Sequence, residues 1–272
     1  MKDPVPVTPR RPGAGLRTGP QPGREDATLR ARARSFGSVA AEYAAQRPGY
    51  PADAVAFLTG TSPRRVLDLG AGTGLLTDVL VAAGHDVVAV DPSPEMLREL
   101  SLRLPNVRAA VGTAEAIPVD DASVDAVVAG QAAHWFDPAP AAGEICRVLR
   151  PGGALGLVWN TRDERVAWVA ALGELIADEA RGHEADEGVV HRLAEELNAE
   201  VELVESAIVQ RVTPGDVVGG IATRSYVAVM DDVRRAAILA EVGDLLANHP
   251  DTRGRQVLEL PYVTRAYLLT PR

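Results

Sequence analysis

The 272-residue sequence predicts an α/β fold: a doubly wound, mostly parallel sheet with helices on both faces. Three observations carry that reading. Short branched-apolar runs alternate with segments of helical spacing from about residue 51 to residue 159. One of these runs, Val66-Leu-Asp-Leu, passes directly into glycines at alternate positions, Gly70, Gly72 and Gly74, and then into Leu-Leu-Thr-Asp-Val-Leu, the pattern of strand, tight turn and helix. Another, over residues 85–90, is apolar almost throughout, as a strand buried in a parallel sheet must be.

Taken in order, the chain begins with a basic, proline- and glycine-rich tail over residues 1–34, for which disorder is expected. Next, Phe36, Val39, Ala40 and Tyr43 fall at helical spacing, and Arg47 lies one turn further on, before Pro48 stops the helix. Tyr43 and Arg47 therefore share a face. A short helix over 51–58 leads to the strand at 65–69, the glycine turn and a helix at 75–83. Glycines there let the backbone approach a ligand closely, and the helix start behind them offers N–H groups without helical partners. The strand at 85–90 ends at Asp91, 21 positions beyond Gly70. A carboxylate at that place can accept hydrogen bonds from ribose hydroxyls; Asp91 and Ser93 also suit the start of the next helix.

A helix at 95–102, a strand at 107–111 and the loop Gly112-Thr-Ala-Glu-Ala-Ile-Pro118 follow. A strand at 124–129 precedes Gly130-Gln-Ala-Ala-His-Trp-Phe-Asp137; a helix spans 138–149, Pro151-Gly152-Gly153 reads as a turn, and a strand spans 154–159. Helices are expected at 165–180, 189–197, 216–221 and 231–248, and strands at 201–212 and 257–269, the last two suiting an antiparallel hairpin at the sheet edge. Ligands of such sheets sit at the carboxyl ends of the strands, where Gly70, Asp91, Glu115, Gln131 and Asn160 fall.

Composition narrows the function. The formal charge is −9, yet residues 1–34 hold eight basic against three acidic side chains, leaving 20 basic against 34 acidic in the rest. An acidic body excludes a nucleic-acid phosphate groove as the main function. No apolar run has the ~18 residues of a membrane span, and no apolar segment marks a secretory signal, so no membrane partner and a cytoplasmic location are expected. The single cysteine, Cys146, is expected at a buried apolar position. His85, His183, His191 and His249 have no ligand spacing, so no metal site is predicted. One lysine, Lys2, against 27 arginines, with abundant alanine, suggests a GC-rich bacterial genome.

Over roughly residues 35–270 the sequence resembles the class I S-adenosylmethionine-dependent methyltransferases of the methyltransferase type 11 kind. The resemblance rests on Val66-Leu-Asp-Leu-Gly-Ala-Gly-Thr-Gly74, Val90-Asp-Pro-Ser93, Ala114-Glu-Ala-Ile-Pro118 and Leu149-Arg-Pro-Gly-Gly153, in that order. It is closest to the small-molecule branch that includes the trans-aconitate methyltransferases, through Phe36, Tyr43, Arg47-Pro48 and Tyr50-Pro51 and through Ala133-His-Trp-Phe136, Trp159-Asn-Thr-Arg-Asp163, Arg224-Ser-Tyr226 and Leu260-Pro-Tyr-Val-Thr264. The resemblance implies one domain over 35–272: a seven-stranded sheet with an antiparallel last strand, an N-terminal lid helix, helical insertions after the fifth and sixth strands, and acceptor-covering segments at 35–51 and about 161–250. It also implies the cofactor S-adenosyl-L-methionine, with S-adenosyl-L-homocysteine as product. Asp68, Gly70, Ala71 and Gly72 would hold its methionine part, Asp91 its ribose, Pro92 and Met96 its adenine face, and Ala114-Glu115 its adenine amino group. Tyr43 and Arg47 would close over the methionine carboxylate, and Gln131 would lie beside the sulfonium. His134 and Trp135 would face the acceptor.

A nicotinamide dehydrogenase is disfavoured, because G-x-G-x-x-G places two residues between its second and third glycines and only Thr73 separates Gly72 from Gly74. A methyltransferase-like module that binds without turnover is a reading of another class, against which the retained Asp68, Asp91 and His134 argue. The expected reaction is methyl transfer to a small-molecule acceptor, an O-methylation of a carboxylate or hydroxyl in secondary metabolism, with N- or C-methylation of a natural product or peptide as the alternative. A carboxylate needs no base, and Arg47, Arg162 or Arg224 could pair with it. For a hydroxyl, phenol or amine, His134 is the base candidate, since histidine ordinarily titrates near neutrality; packing of His134 on Trp135 is the competing reading. Gln131 and Tyr43 complete the candidate catalytic set, and Tyr50, Trp135, Asn160, Arg162, Arg224 and Tyr226 the candidate acceptor set. Arg162-Asp163 could instead be an ion pair, and Tyr226 could line the core. Monomer and homodimer are both compatible with the sequence.

Overall fold

The computed structural model describes residues 47–176, 183–224, 227 and 230–272. The tail, residues 35–46 of the expected N-terminal helix with Tyr43, and Tyr226 lie outside the described residues. Within them, α1 (Ala52–Thr59) precedes β1 (Arg65–Leu69), α2 (Leu75–Ala82), β2 (Asp86–Asp91), α3 (Pro94–Arg103), β3 (Arg108–Val111) and β4 (Val124–Gly130). A 3₁₀ turn (Ala133–Trp135), α4 (Pro138–Val148), β5 (Leu149–Arg162), α5 (Ala167–Leu175), α6 (His183–Glu196), β6 (Ala199–Val212), α7 (Pro214–Ala222), α8 (Asp232–Asn248) and β7 (Leu258–Pro271) follow.

The strands form one seven-stranded sheet in the order β3-β2-β1-β4-β5-β7-β6. Strands β1 to β5 pair in parallel, and β7 runs antiparallel to both β5 and β6. The fold class expected from sequence is therefore the observed one. Alternate side chains of each strand go to opposite faces. Val66, Val128 and Val158 pack with Tyr50, Ala54, Val55 and Leu58 and with Leu76 and Leu80 of α2. Leu67, Leu69, Val127, Leu155 and Leu157 pack on the other face with Ile145 and Val148 of α4 and Leu193 and Leu197 of α6. A third cluster joins Trp168, Val169 and Leu172 of α5, Val217 and Ile221 of α7 and Val242 and Leu246 of α8 to Val212, Leu258, Leu260 and Tyr262. This third cluster raises a helical cover beyond the end of β5. Strand order reverses between β1 and β4, so the crevice of the fold opens beyond Leu69 and Gly130.

Two expectations are corrected. Pro151-Gly152-Gly153 does not separate helix from strand: β5 begins at Leu149, paired with Val124, and its pairing with β4 resumes at Ala154 opposite Ala126 after a register shift. Gly152 accommodates the bulge with φ +80, a conformation glycine adopts without strain. Cys146 is exposed, because α4 buries Ala141, Ala142, Ile145 and Val148, and position 146 lies about 100° round the helix from Ile145.

The core is dense enough to give a direct test. Leu157 is fully buried in the middle of β5. Leu157→Ala is expected to lower stability by about 2–5 kcal/mol, read from the shift in a urea unfolding curve.

Candidate functional site

The site grows from the turn after β1. Gly70, Gly72 and Gly74 all have left-handed φ, +75, +56 and +87. A Cβ on Gly70 would lie 2.5 Å from the Ala132 side chain, so glycine is also required there by the close approach of the segment after β4; around Gly72 the same position is open space. Gly70 N and Ala71 N both donate to Val90 O, at 2.8 and 3.0 Å, which binds the turn to the end of β2.

Two carboxylates lie beneath this turn. Asp91 is buried; its Oδ2 accepts from Gly72 N and its Oδ1 from Ser93 N, both at 2.8 Å. Burial pushes its pKa up, against the opposing pull of these two N–H groups. Helix capping falls to Ser93, whose hydroxyl accepts from Met96 N, so Asp91 is left to face the turn. Asp68 is buried more deeply. Its Oδ2 accepts from Thr77 Oγ1 at 2.6 Å, and its Oδ1 has no hydrogen-bond partner among the described residues. Burial raises its pKa to about 7, and Asp91 nearby adds to the rise.

The adenine-side candidates close off the β2 and β3 ends. Met96 is buried and Pro92 exposed, while Ala114 is buried in a loop with a Thr113–Ala116 bridge. Glu115 Oε1 accepts from Asp137 N at 2.9 Å. Beyond β4, Gln131 has φ +55, a conformation uncommon for a side chain of its kind, held by Gln131 N to Val158 O (2.9 Å) and Gln131 Nε2 to Asn160 O (3.0 Å). His134 and Trp135 share the 3₁₀ turn, with ring centroids 4.8 Å apart. Tyr50 lies against the same strand end: a Cβ on Gly130 would meet its hydroxyl oxygen at 2.6 Å.

The Asn160 side chain is engaged at both ends. Its Nδ2 donates to Gly49 O (2.8 Å) and its Oδ1 accepts from Thr264 Oγ1 (2.5 Å), which ties the N-terminal segment to β5 and β7. Asp163 takes the Arg165 guanidinium at 2.6 and 2.7 Å. Arg162, Arg47 and Arg224 line one narrow pocket of about 20 Å³ together with Gln210, Asp216 and Tyr262 and the apolar Leu172, Val217, Ile221 and Leu260. Asp216 is the third residue of α7, and its carboxylate accepts from the N and Oγ1 of the capping Thr213, which holds its pKa down. A wider cleft of about 530 Å³, lined by Val166, Trp168, Val209 and Pro261 among others, lies beside β6 and β7 and takes in none of the sequence-predicted residues.

Sequence reasoning missed Thr77, Thr264, Glu144 and Arg147. The last two join α4 to the loop after β3 by hydrogen bonds to Ile117 and Val119. Their only local signal is an acid and a base at i and i+3 on one helix.

Residues 67–157 match the methyltransferase domain family. An uncharacterized methyltransferase of Mycobacterium tuberculosis is 49% identical over 230 residues, 85% of this chain and 93% of that protein. A malonyl-[acyl-carrier protein] O-methyltransferase of Methylococcus capsulatus is 41% identical over 126 residues, 42% of this chain and 45% of that one. Among solved structures, a protein from Anaeromyxobacter dehalogenans proposed to be a type II methyltransferase has 29% identity and a TM-score of 0.61, covering 83% of this chain and 97% of that chain. The chain belongs to the S-adenosylmethionine-dependent methyltransferases. Its cofactor is S-adenosylmethionine, and no helix among the described residues is long and apolar enough to cross a membrane.

The raised pKa of Asp68 makes the fold pH-sensitive. Between its unfolded value near 3.8 and the folded value of about 7, the native state binds more protons than the unfolded one, so stability falls as pH rises through that window. Asp68→Asn removes this dependence. In the cofactor-free protein the gap in melting temperature between variant and wild type is expected to move in the variant's favour from pH 4 to pH 7 and to level off above, measured by differential scanning calorimetry.

Proposed function

We propose that the protein transfers the cofactor methyl group to an oxygen of a small acidic molecule, a carboxylate oxygen first and a hydroxyl oxygen second. When bound, the cofactor supplies a methyl group on a positively charged sulfur. The residues present fit it. The partnerless, buried Asp68 Oδ1 is matched to the α-ammonium, because a cation there relieves the burial that raises its pKa. Asp91 accepts one N–H on each oxygen and retains lone pairs for two ribose hydroxyls. Gly70, Ala71 and Gly72 leave room for the methionine part, Pro92 and Met96 flank the adenine, and Ala114 with Glu115 addresses its amino group. Gln131, fixed by Asn160 O, orients the donor side, and Tyr43 and Arg47 close over it.

The single observation behind an acidic acceptor is the convergence of Arg47, Arg162 and Arg224 on one pocket. That pocket adjoins the transfer point through short links: Arg162 stands two residues after Asn160, and Arg47 two before Gly49, which Asn160 holds. The O-methyltransferase name of the Methylococcus relative points the same way. A carboxylate is already nucleophilic, so His134 and Trp135 then act as a wall that excludes water and aligns the acceptor; toward a hydroxyl, His134 takes its proton. Tyr50 and Tyr226 complete the acceptor side. A place in bacterial secondary metabolism, in the cytoplasm, as monomer or homodimer, accords with the composition.

Asp91→Ala is expected to weaken S-adenosylmethionine binding by about a hundredfold in titration calorimetry, since two charge-assisted hydrogen bonds to ribose are lost; unchanged affinity overturns the ribose assignment. For the acceptor, a screen with labelled cofactor over carboxylic acids, phenols and amines is expected to label acids. Arg162→Gln and Arg224→Gln should each raise the KM of the best acid about tenfold or more. Labelling of amines or uncharged phenols with acids inert overturns the acidic-acceptor reading.

A further inference from the structure

The loop between β3 and β4 has little regular structure of its own, with only the Thr113–Ala116 bridge between Gly112 and Pro118. What shapes it is helix α4, which grips it at both ends. At the helix start, Asp137 N donates to Glu115 Oε1 (2.9 Å). Near the helix end, Glu144 Oε2 accepts from Ile117 N (2.8 Å), and Arg147 donates from Nη2 to Ile117 O and from Nη1 to Val119 O, both at 2.8 Å. The remaining Arg147 donors go to Glu144 Oε1 and Oε2 (2.7 and 2.8 Å) and Asp121 Oδ1 (2.7 Å), so all five N–H groups of the guanidinium are used. The Glu144 carboxyl is held at a pKa of about 2, chiefly by Arg147, so the clamp persists at any pH of interest. The loop itself is close-packed: a Cβ on Gly112 would lie 2.5 Å from the Pro118 ring.

We infer that Glu144 and Arg147 are positioning residues for purine selectivity: acting from α4, they splint the 112–121 loop so that the Glu115 carboxylate meets the 6-amino group of adenine. This rests on the proposed reading that Glu115 addresses the adenine. A carboxylate accepts from a 6-amino group and is repelled by the oxygen of a 6-oxopurine, so its placement sets discrimination between the two. Lysine at 147 keeps the charge but has a single ammonium in place of the planar fork, and it cannot reach Glu144, Ile117 O and Val119 O together.

The test is titration calorimetry on the full-length chain with S-adenosylhomocysteine and with its 6-oxo counterpart, S-inosylhomocysteine, for wild type, Arg147→Lys and Glu144→Gln, with melting curves to establish folding. In both variants the affinity for S-adenosylhomocysteine is expected to fall about tenfold while that for the inosyl compound stays within twofold, so the selectivity ratio collapses. An equal loss for both compounds, or an unchanged ratio, overturns the inference. Should one variant not fold, the other decides. Wild type binding both compounds equally overturns the Glu115 assignment and the inference with it. Wild type binding neither overturns the cofactor-site reading beneath both.

Discussion

Two carboxylates, Asp68 and Asp91, are shut away from water at neighbouring strand ends beneath a turn of left-handed glycines, and the rest of the site depends on that arrangement. Asp91 bonds Gly72 N across to the β1 side and Ser93 N on its own, which sets the spacing of the two strand ends. Asp68 uses one oxygen on Thr77 and leaves the other without a partner. Both are pushed toward their neutral forms by burial, and Asp68 also by Asp91. Buried acids in this condition weaken the empty fold, and a cation placed beside them removes the penalty. The feature that makes the cofactor-free protein less stable at neutral pH is thus the one suited to a cationic ligand.

The turn and its two carboxylates were legible in the sequence because they are local. Gly70, Gly72, Asp68 and Asp91 lie within 24 consecutive residues, and the strands that carry them are buried on both faces, which imposes continuous apolar runs that can be read directly. Errors arose where residue type was taken for position. Pro151-Gly152-Gly153 has the composition of a turn, yet it lies inside β5, in the irregularity between the Leu149 and Ala154 pairings with β4. Cys146 was assigned by the usual burial of cysteine, whereas the angle it occupies on α4 decides its exposure. Adjacency alone offers Arg162 as an ion-pair alternative for Asp163, but the chain turns after β5, with Val166 N donating to Asp163 O, and brings Arg165 onto the carboxylate.

The arginine pocket was legible only as separate candidates, Arg47, Arg162 and Arg224, because its lining is assembled from distance. Arg47, Arg162, Gln210, Asp216, Arg224 and Tyr262 span 216 residues of sequence and meet only after the β5-β7-β6 edge has formed and α5 and α7 have closed on it. The same holds for α4: Glu144 and Arg147 contact carbonyls and an N–H some 27–30 residues earlier, a relation no local spacing announces. Long-range residues of this kind are identified by what they bond to.

For an acidic acceptor, the electrostatics divide into two ranges. The chain carries −9 overall, so its long-range field opposes the approach of an anion. The pocket is lined by Arg47, Arg162 and Arg224 and by Asp216, whose carboxylate accepts from the N–H and hydroxyl of Thr213. At physiological ionic strength fields fade over about 8 Å, so the arginines act only once the acceptor is nearly seated. Steering would speed the capture of any anion, while contact pairing rewards only one whose charges fit the fork geometry of the guanidinium groups. For the proposed acidic acceptor, an acidic body around a half-buried pocket lined by arginines therefore favours discrimination over speed of capture.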